Sequence, residues 1–272
     1  MTVFEIRDGS IREDRLDKII GILYYFERDE RFYIELMNEV DEWDGPALFM
    51  KKIREGVRSI DHVSALKWVN ERIIPRERQN LGAILRDNGL KEYNEYRMLM
   101  LSEGRCSMDE EYIKKSTSDK IPSEIRERDS RKLCDFMVLS NGRILVFFNN
   151  GNSGIVDPRA LAADDPGFLQ LLNDEVRFRN VRLCPGGYGL EWDFERFIMF
   201  EDLYSTAKNV GIVYDDVLKF AQTRIISTGS ICRELGVSRQ YIAQLTDEGR
   251  LEPFEKEGNT KTYLRAQIEI NK

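Results

Sequence analysis

The spacing of hydrophobic positions changes along the chain, and each change marks a different kind of structure. Residues 1–45 are rich in β-branched and aromatic side chains. Residues 3–7 precede an Asp8-Gly9 turn, and the runs 19–26 and 32–37 flank the polar stretch 27–31, as the strands of a hairpin do. The alternation within residues 31–36 is too imperfect to assign faces. From Gly45 the repeat lengthens. Pro46 suits a first helical turn, and Leu48, Phe49, Ile53 and Val57 follow at helical spacing. Further helices are expected over residues 63–74, ending before Pro75, over 81–87, closed by Asn88-Gly89, and over 91–101. Residues 106–129 are charged and poorly periodic, and read as a connector between domains.

Residues 133–204 return to short strands. A strand near residues 137–139 precedes a hairpin over 143–157, whose Asn150-Gly151 turn is a strong local hairpin signal. A helix near 161–172 and a second hairpin over 181–192 follow. Pro185-Gly186-Gly187-Tyr188-Gly189 lacks the order of a phosphate loop and joins two strands, so it reads as a hairpin turn. Residues 214–223 form one amphipathic helix, placed to brace the next segment or to supply a dimer seam; bracing is the simpler role.

Residues 227–251 read as two short helices joined by a tight turn. Ser227 or Thr228 caps the first, and Ile231 and Leu235 lie four apart on one face. Gly236 lets the chain leave the helix without a Cβ penalty. Ser238 caps the second helix, Ile242 and Leu245 point inward, and Gly249 ends it. With Val237 and Leu251, these apolar residues form a core. Two helices, a glycine turn and a polar start to the second helix make the helix-turn-helix pattern.

Residues 227–268 resemble the winged helix-turn-helix domains of phage excisionases and mercury-resistance-type regulators. The likeness lies in residues 228–242, in Asp247-Glu248-Gly249-Arg250-Leu251, and in the Gly258-Asn259 turn flanked by Lys256 and Lys261. It implies a second helix in the major groove of double-stranded DNA and a hairpin wing over the phosphate backbone. Ser238, Arg239, Gln240 and Gln244 would then face base edges, since Arg can take guanine and Gln adenine bidentately. Tyr241 would touch a phosphate or a thymine methyl, and Arg250, Lys256, Asn259 and Lys261 the backbone. Earlier in the chain, Val146-Phe147-Phe148, Gly151, Val156-Asp157, Phe168, Leu172, Phe178, Val181, Leu190-Glu191-Trp192 and Leu203-Tyr204 resemble a small bacterial family, domain of unknown function 2442. Its members look like compact α+β modules, some joined to helix-turn-helix domains, and the likeness implies no activity. The expected fold is therefore α+β and multi-domain. A small sheet with helices covers 1–118, a compact α+β domain with hairpins covers 133–206, and a helix-turn-helix with a hairpin wing covers 222–270.

Composition narrows the function classes. A chain of 272 residues, 42% hydrophobic and 10% aromatic, can fill proper cores. The apolar run 19–26 is interrupted by Gly21 and too short to span a bilayer. No basic-then-apolar leader opens the chain, and a cytoplasmic protein away from membranes is expected. Cys106, Cys134, Cys184 and Cys232 are scattered, which suits reduced thiols and not a zinc site. The single histidine, His62, sits beside Asp61 at an expected helix start and reads as a capping or surface residue. The acids at 109–111, 164–165 and 215–216 read as solvated loops and helix starts. No catalytic residue, metal or cofactor is expected, and a metal-dependent enzyme acting on nucleic acid is the weakest reading. Arg76, Arg78, Gln79 and Arg86 form a polar stretch that reads either as a partner-recognition surface or as capping and bridging between helices.

Net charge is −7, unusual for a nucleic-acid binder. From residue 222 onward, eight Lys/Arg stand against seven Asp/Glu, leaving 33 against 41 in the rest. A near-neutral domain gains little from counterion release, so DNA binding calls for a homodimer or a protein partner. The alternative is a protein-interaction or antitoxin-like adaptor that grips a basic partner with its acidic N-terminal and middle domains.

Overall fold

The computed structural model describes residues 1–10, 17–208, 214–258 and 260–270, with residues 214–217 in backbone only. The chain is α+β and divides into two compact units, Met1–Arg128 and Asp129–Lys272. Among the described residues no helix is long and apolar enough to cross a membrane.

In the first unit, β1 (Thr2–Asp8), β2 (Lys18–Phe26) and β3 (Arg31–Leu36) form an antiparallel meander. α1 (Met50–Arg54), β4 (Ser59–Ile60), α2 (His62–Asn70), α3 (Leu81–Asp87) and α4 (Glu95–Ser102) follow, then β5 (Glu111–Ser116) and α5 (Ser123–Asp129). The sheet runs β4-β3-β2-β1-β5. Its register sets Phe4, Leu23, Ile34 and Ile60 in one cross-strand row and Ile6 opposite Ile113. Directly opposed residues share a face, and there Trp68 and Val69 of α2 and Met98 and Leu99 of α4 complete a buried core. Burying side chains of this size stabilises by roughly 1.5–3 kcal/mol each.

Five expectations for this unit need correction. The stretch 106–129 is no connector, because β5 pairs with β1 from Val3↔Ser116 to Asp8↔Glu111. α5 then returns Arg128 to Glu35 (3.1 Å) and to the Leu36 carbonyl. Periodicity misses β5 because Ile113 is its only buried apolar residue and Lys114 and Lys115 face solvent. The helix after Gly45 ends before Val57, whose N–H folds back to the Lys52 carbonyl (2.9 Å) and closes the last turn. α4 starts at Glu95 because Asn94 caps it, accepting the Arg97 N–H at 3.1 Å. His62 is buried, with Nδ1 3.5 Å from the Tyr33 hydroxyl, and Asp61 caps α2 by accepting the Ser64 N–H at 2.8 Å. The acids at 109–111 are not all solvated. Arg72 Nη2 lies 2.5 Å from both Asp109 and Glu111, and the Trp68 indole N–H donates to Glu111 at 2.9 Å.

The second unit opens with β6 (Leu133–Val138), β7 (Ile144–Phe148) and β8 (Ser153–Val156), paired β6-β7-β8, with Asn150-Gly151 turning β7 into β8. α6 (Pro158–Leu161), α7 (Pro166–Asn173) and α8 (Glu175–Phe178) follow. The single helix expected over 161–172 is broken, because Asp165 caps α7 ahead of Pro166 and accepts the Phe168 N–H at 2.9 Å. β9 (Arg182–Leu183), β10 (Gly189–Glu191) and β11 (Phe197–Met199) form a second sheet, and α9 (Phe200–Thr206) follows. Gly187 in the β9–β10 turn has φ +75°, and a Cβ there would stand 2.1 Å from the Leu133 carbonyl oxygen. Only glycine fits that position.

α10 (Tyr214–Arg224), β12 (Ile225–Ser227), α11 (Thr228–Leu235), α12 (Arg239–Asp247), β13 (Glu255–Glu257), β14 (Thr260–Leu264) and α13 (Arg265–Ile270) complete the chain, with a third sheet ordered β12-β14-β13. The side chains of Asp215 and Asp216 lie outside the described residues. α10 braces its surroundings: Phe220 meets Phe147 of β7 edge-on, with ring centroids 5.6 Å apart. Buried Arg224 places Nη2 2.7 Å from both Asp135 of β6 and Glu269 of α13.

Glu111 gives the first unit a pH dependence. Burial pushes its carboxyl up to about 7 from an ordinary 4.5; Arg72 pulls it down and Asp109 pushes it up. Between those values the folded form binds more protons than the unfolded form, so this group's contribution weakens the fold as pH rises from about 4.5 to 7. Glu111→Gln should therefore gain melting temperature relative to wild type as pH rises through that window. A calorimetric difference flat with pH would contradict the assignment.

Candidate nucleic-acid interface

Local chemistry sets the pair α11 and α12. Ser227 Oγ accepts the Ser230 N–H at 3.2 Å and starts α11, Gly236 at φ +65° ends it, and Ser238 Oγ accepts the Tyr241 N–H at 3.2 Å to start α12. Ile231, Ile242 and Leu251 are buried with Ile226, Tyr263 and Ile268, and Leu235, Val237 and Leu245 pack against them. The core residues read from the pattern therefore do meet.

Turning Ile242 and Leu245 inward leaves Arg239, Gln240, Ala243 and Gln244 on the exposed side of α12. Tyr241 is 41% exposed. On the β13–β14 hairpin, Lys256 stands directly opposite Lys261, and Glu255 and Glu257 stand opposite Thr262 and Thr260. Directly opposed residues share a sheet face and successive ones alternate, so both lysines project from one face and both glutamates from the other. Lys261 also shares its face with Tyr263, two residues on and buried in the core. The lysine face is thus the one turned to the helices.

Between the start of α11, α12 and β14 lies a cleft of about 520 Å³, walled in part by Thr228, Gly229, Arg233, Arg239 and Lys261, with no carboxylate among its described lining residues. Arg239 Nη2 comes within 3.8 Å of where a Cβ on Gly229 would stand. Two of the acids on or beside these helices are engaged elsewhere. Glu234 pairs with Arg265 (2.6 Å), and Glu248 accepts from Gln244 (2.7 Å) and lies 3.7 Å from Arg250. Among the described residues no carboxylate pairs with Arg239, Lys256 or Lys261.

Ser238, Arg239, Gln240 and Tyr241 therefore gather at one exposed helix start, with Lys261 across the cleft and Lys256 beside it. Gln244 and Arg250 lean on Glu248 at the far end of α12, and Asn259 lies outside the described residues. Arg233 is a cleft residue that the motif reading passed over, because it treated the first helix as scaffold. The clue was a cation on the side of that helix away from Ile231. In the first unit, Arg76 pairs with Glu95 (2.9 Å) and stacks on Tyr93 (4.5 Å), Arg78 donates to Asn80 (3.1 Å), and Gln79 and Arg86 are exposed.

Residues 138–208 match the model of a family described as protein of unknown function, DUF2442. The match runs from the last residue of β6 to Lys208, whose backbone bridges Ile155, and it stops before α10. It agrees with the likeness read from the middle segment's own pattern. No curated protein and no solved structure gives a significant match.

Stability should separate scaffold from surface here. Ile242→Ala is expected to cost about 2–5 kcal/mol and Ser238→Ala about 1 kcal/mol. Arg239→Ala and Gln240→Ala should stay within about 0.5 kcal/mol. Hydrogen exchange of the α11 and α12 amides measures all four, and an Arg239→Ala loss as large as that of Ile242→Ala would place Arg239 in the scaffold.

Proposed function

We propose that this chain is a DNA-binding transcription regulator of the cytoplasm. In this reading, residues 222–270 act as a winged helix-turn-helix of the excisionase and mercury-resistance-regulator type. α12 enters the major groove, which is about 12 Å wide and admits a helix, and the β13–β14 hairpin rides the phosphate backbone. The observation that carries the reading is the acid-free cleft in an otherwise acidic protein. Arg233, Arg239 and Lys261 line it, next to an exposed helix start that offers Arg239 and Gln240 to base edges. Tyr241 and Lys256 add contacts at its margin. A homodimer on paired half-sites supplies the affinity that one near-neutral segment lacks.

Selection from a random duplex pool, followed by anisotropy titration of the selected site across a salt series, tests this. Arg239→Ala should weaken specific binding by about 1–3 kcal/mol and relax one position of the site, and Lys261→Ala should lower the salt slope by about 1. The reading fails if both variants bind and respond to salt as wild type does.

One observation favours the adaptor alternative. In the first unit, a cleft of about 410 Å³ is walled by Asp8, Asp44, Glu71, Asp109 and Glu111 around Arg72, with Trp43 at its edge 79% exposed. Such a cleft suits a lysine- or arginine-rich partner, with the indole offering a cation–π face. Trp43→Ala and Asp44→Lys should then weaken capture of a basic protein partner at least about tenfold while leaving duplex binding intact.

A further inference from the structure

A separate cavity of about 430 Å³ lies within the Asp129–Lys272 unit, where β6 and β7 face α10, the end of β14 and α13. Its described wall is almost wholly apolar, with Phe147, Phe220, Leu264, Ala266 and Ile270 contributing. Asp135 is the one carboxylate in that wall and is only 6% exposed. Its Oδ1 accepts from Arg224 Nε and from the Phe136 N–H, both at 2.8 Å, whereas its Oδ2 has no hydrogen-bond partner among the described residues. Arg224 is also shared with Glu269, so one cation answers two carboxylates. A buried acceptor left unanswered is costly, and the surplus negative charge favours a cationic donor over a neutral one.

We propose that this cavity binds a small hydrophobic molecule carrying a single ammonium or amidinium group. Its apolar body lies among Phe147, Phe220, Leu264 and Ile270, and its N–H donors turn to the Asp135 carboxylate. The cavity is of the size that small-molecule sites use, mostly apolar with few polar groups to orient the ligand. The edge-on pair Phe147–Phe220 adds aromatic surface for a flat body and for the cation. A neutral isostere leaves the surplus charge of the carboxylates unanswered, and an anionic one is repelled by Asp135 in the wall. None of this rests on the DNA reading, since the binding is measured without nucleic acid.

The test is a calorimetric titration of the full chain with naphthylmethylammonium, naphthylmethanol and naphthylacetate, which share an aromatic body and differ in charge. The ammonium is expected to bind at least about tenfold more tightly than the alcohol, and the carboxylate not at all. Cys134→Phe projects a ring from the same wall and should abolish binding with little change in melting temperature. Asp135→Asn should erase the preference for ammonium over alcohol. If that variant fails to fold, the charge series and Cys134→Phe still decide. Equal binding of the three ligands, binding of none at millimolar concentration, or full binding by Cys134→Phe overturns the proposal.

Discussion

Arg224 stands where α10 passes into β12, and its buried guanidinium meets Asp135 from the start of the second unit and Glu269 from its end. Burying three charges is expensive, and such a cluster often adds little net stability over well-packed apolar residues. What it does impose is geometry. Removing any one partner leaves the others buried with a charge unanswered, so alternative placements of α10 and α13 against β6 are penalised far more than the native one is rewarded. The core under α11 and α12 includes Ile226 and Ile268, which lie within two residues of Arg224 and Glu269 along the chain. The exposed start of α12 is thus presented from a fixed seat within its unit.

The same economy of charge explains how an acidic protein offers a basic cleft. Net charge is a poor guide here, because charges further apart than about 8–10 Å are largely screened at physiological salt. Within the C-terminal segment, Glu234 and Glu248 are turned to Arg265 and Gln244, and Glu269 shares Arg224 with Asp135. Among the described residues, no carboxylate lies within ion-pair distance of Arg239, Lys256 or Lys261. A count of eight cations against seven anions therefore understates the local field.

Signals that act within a few residues were legible in the chain. Ser227, Gly236 and Ser238 mark the ends of α11 and α12 through their own side chains or φ preferences, and Asn150-Gly151 marks its hairpin, because each solves a local backbone problem. Interactions that close over long distances were not. β5 carries one buried apolar residue and owes its existence to β1 at the other end of the unit. Asp109 and Glu111 look like solvated acids until Arg72 of the residues just beyond α2 reaches them. Asp135 and Glu269 carry no signal in the sequence for the same reason, since a charge cluster assembled from three distant segments has no spacing to read. The candidate interface was mostly legible because its geometry is that of one helix start; Arg233 and the Lys256–Lys261 pairing needed the helices and hairpin brought together.

If the chain binds DNA as proposed, the paired lysines favour two copies on the duplex. Like charges directly opposed on a hairpin repel, and Lys256 faces Lys261 across the strands with both glutamates on the reverse face. A polyanion lying along the lysine face would relieve that repulsion. With Arg239 on a base edge, Arg233, Lys256 and Lys261 would give at most three phosphate contacts per copy. At about 0.9 of a logarithmic unit of salt dependence per neutralised phosphate, one copy would have a slope of about −2.7 and two copies about −5.4. On the proposed DNA reading, a single copy at physiological salt would fall in the range of weak, non-specific association. Two seated on adjacent half-sites add both the charge and the second set of base contacts that a selective regulator requires.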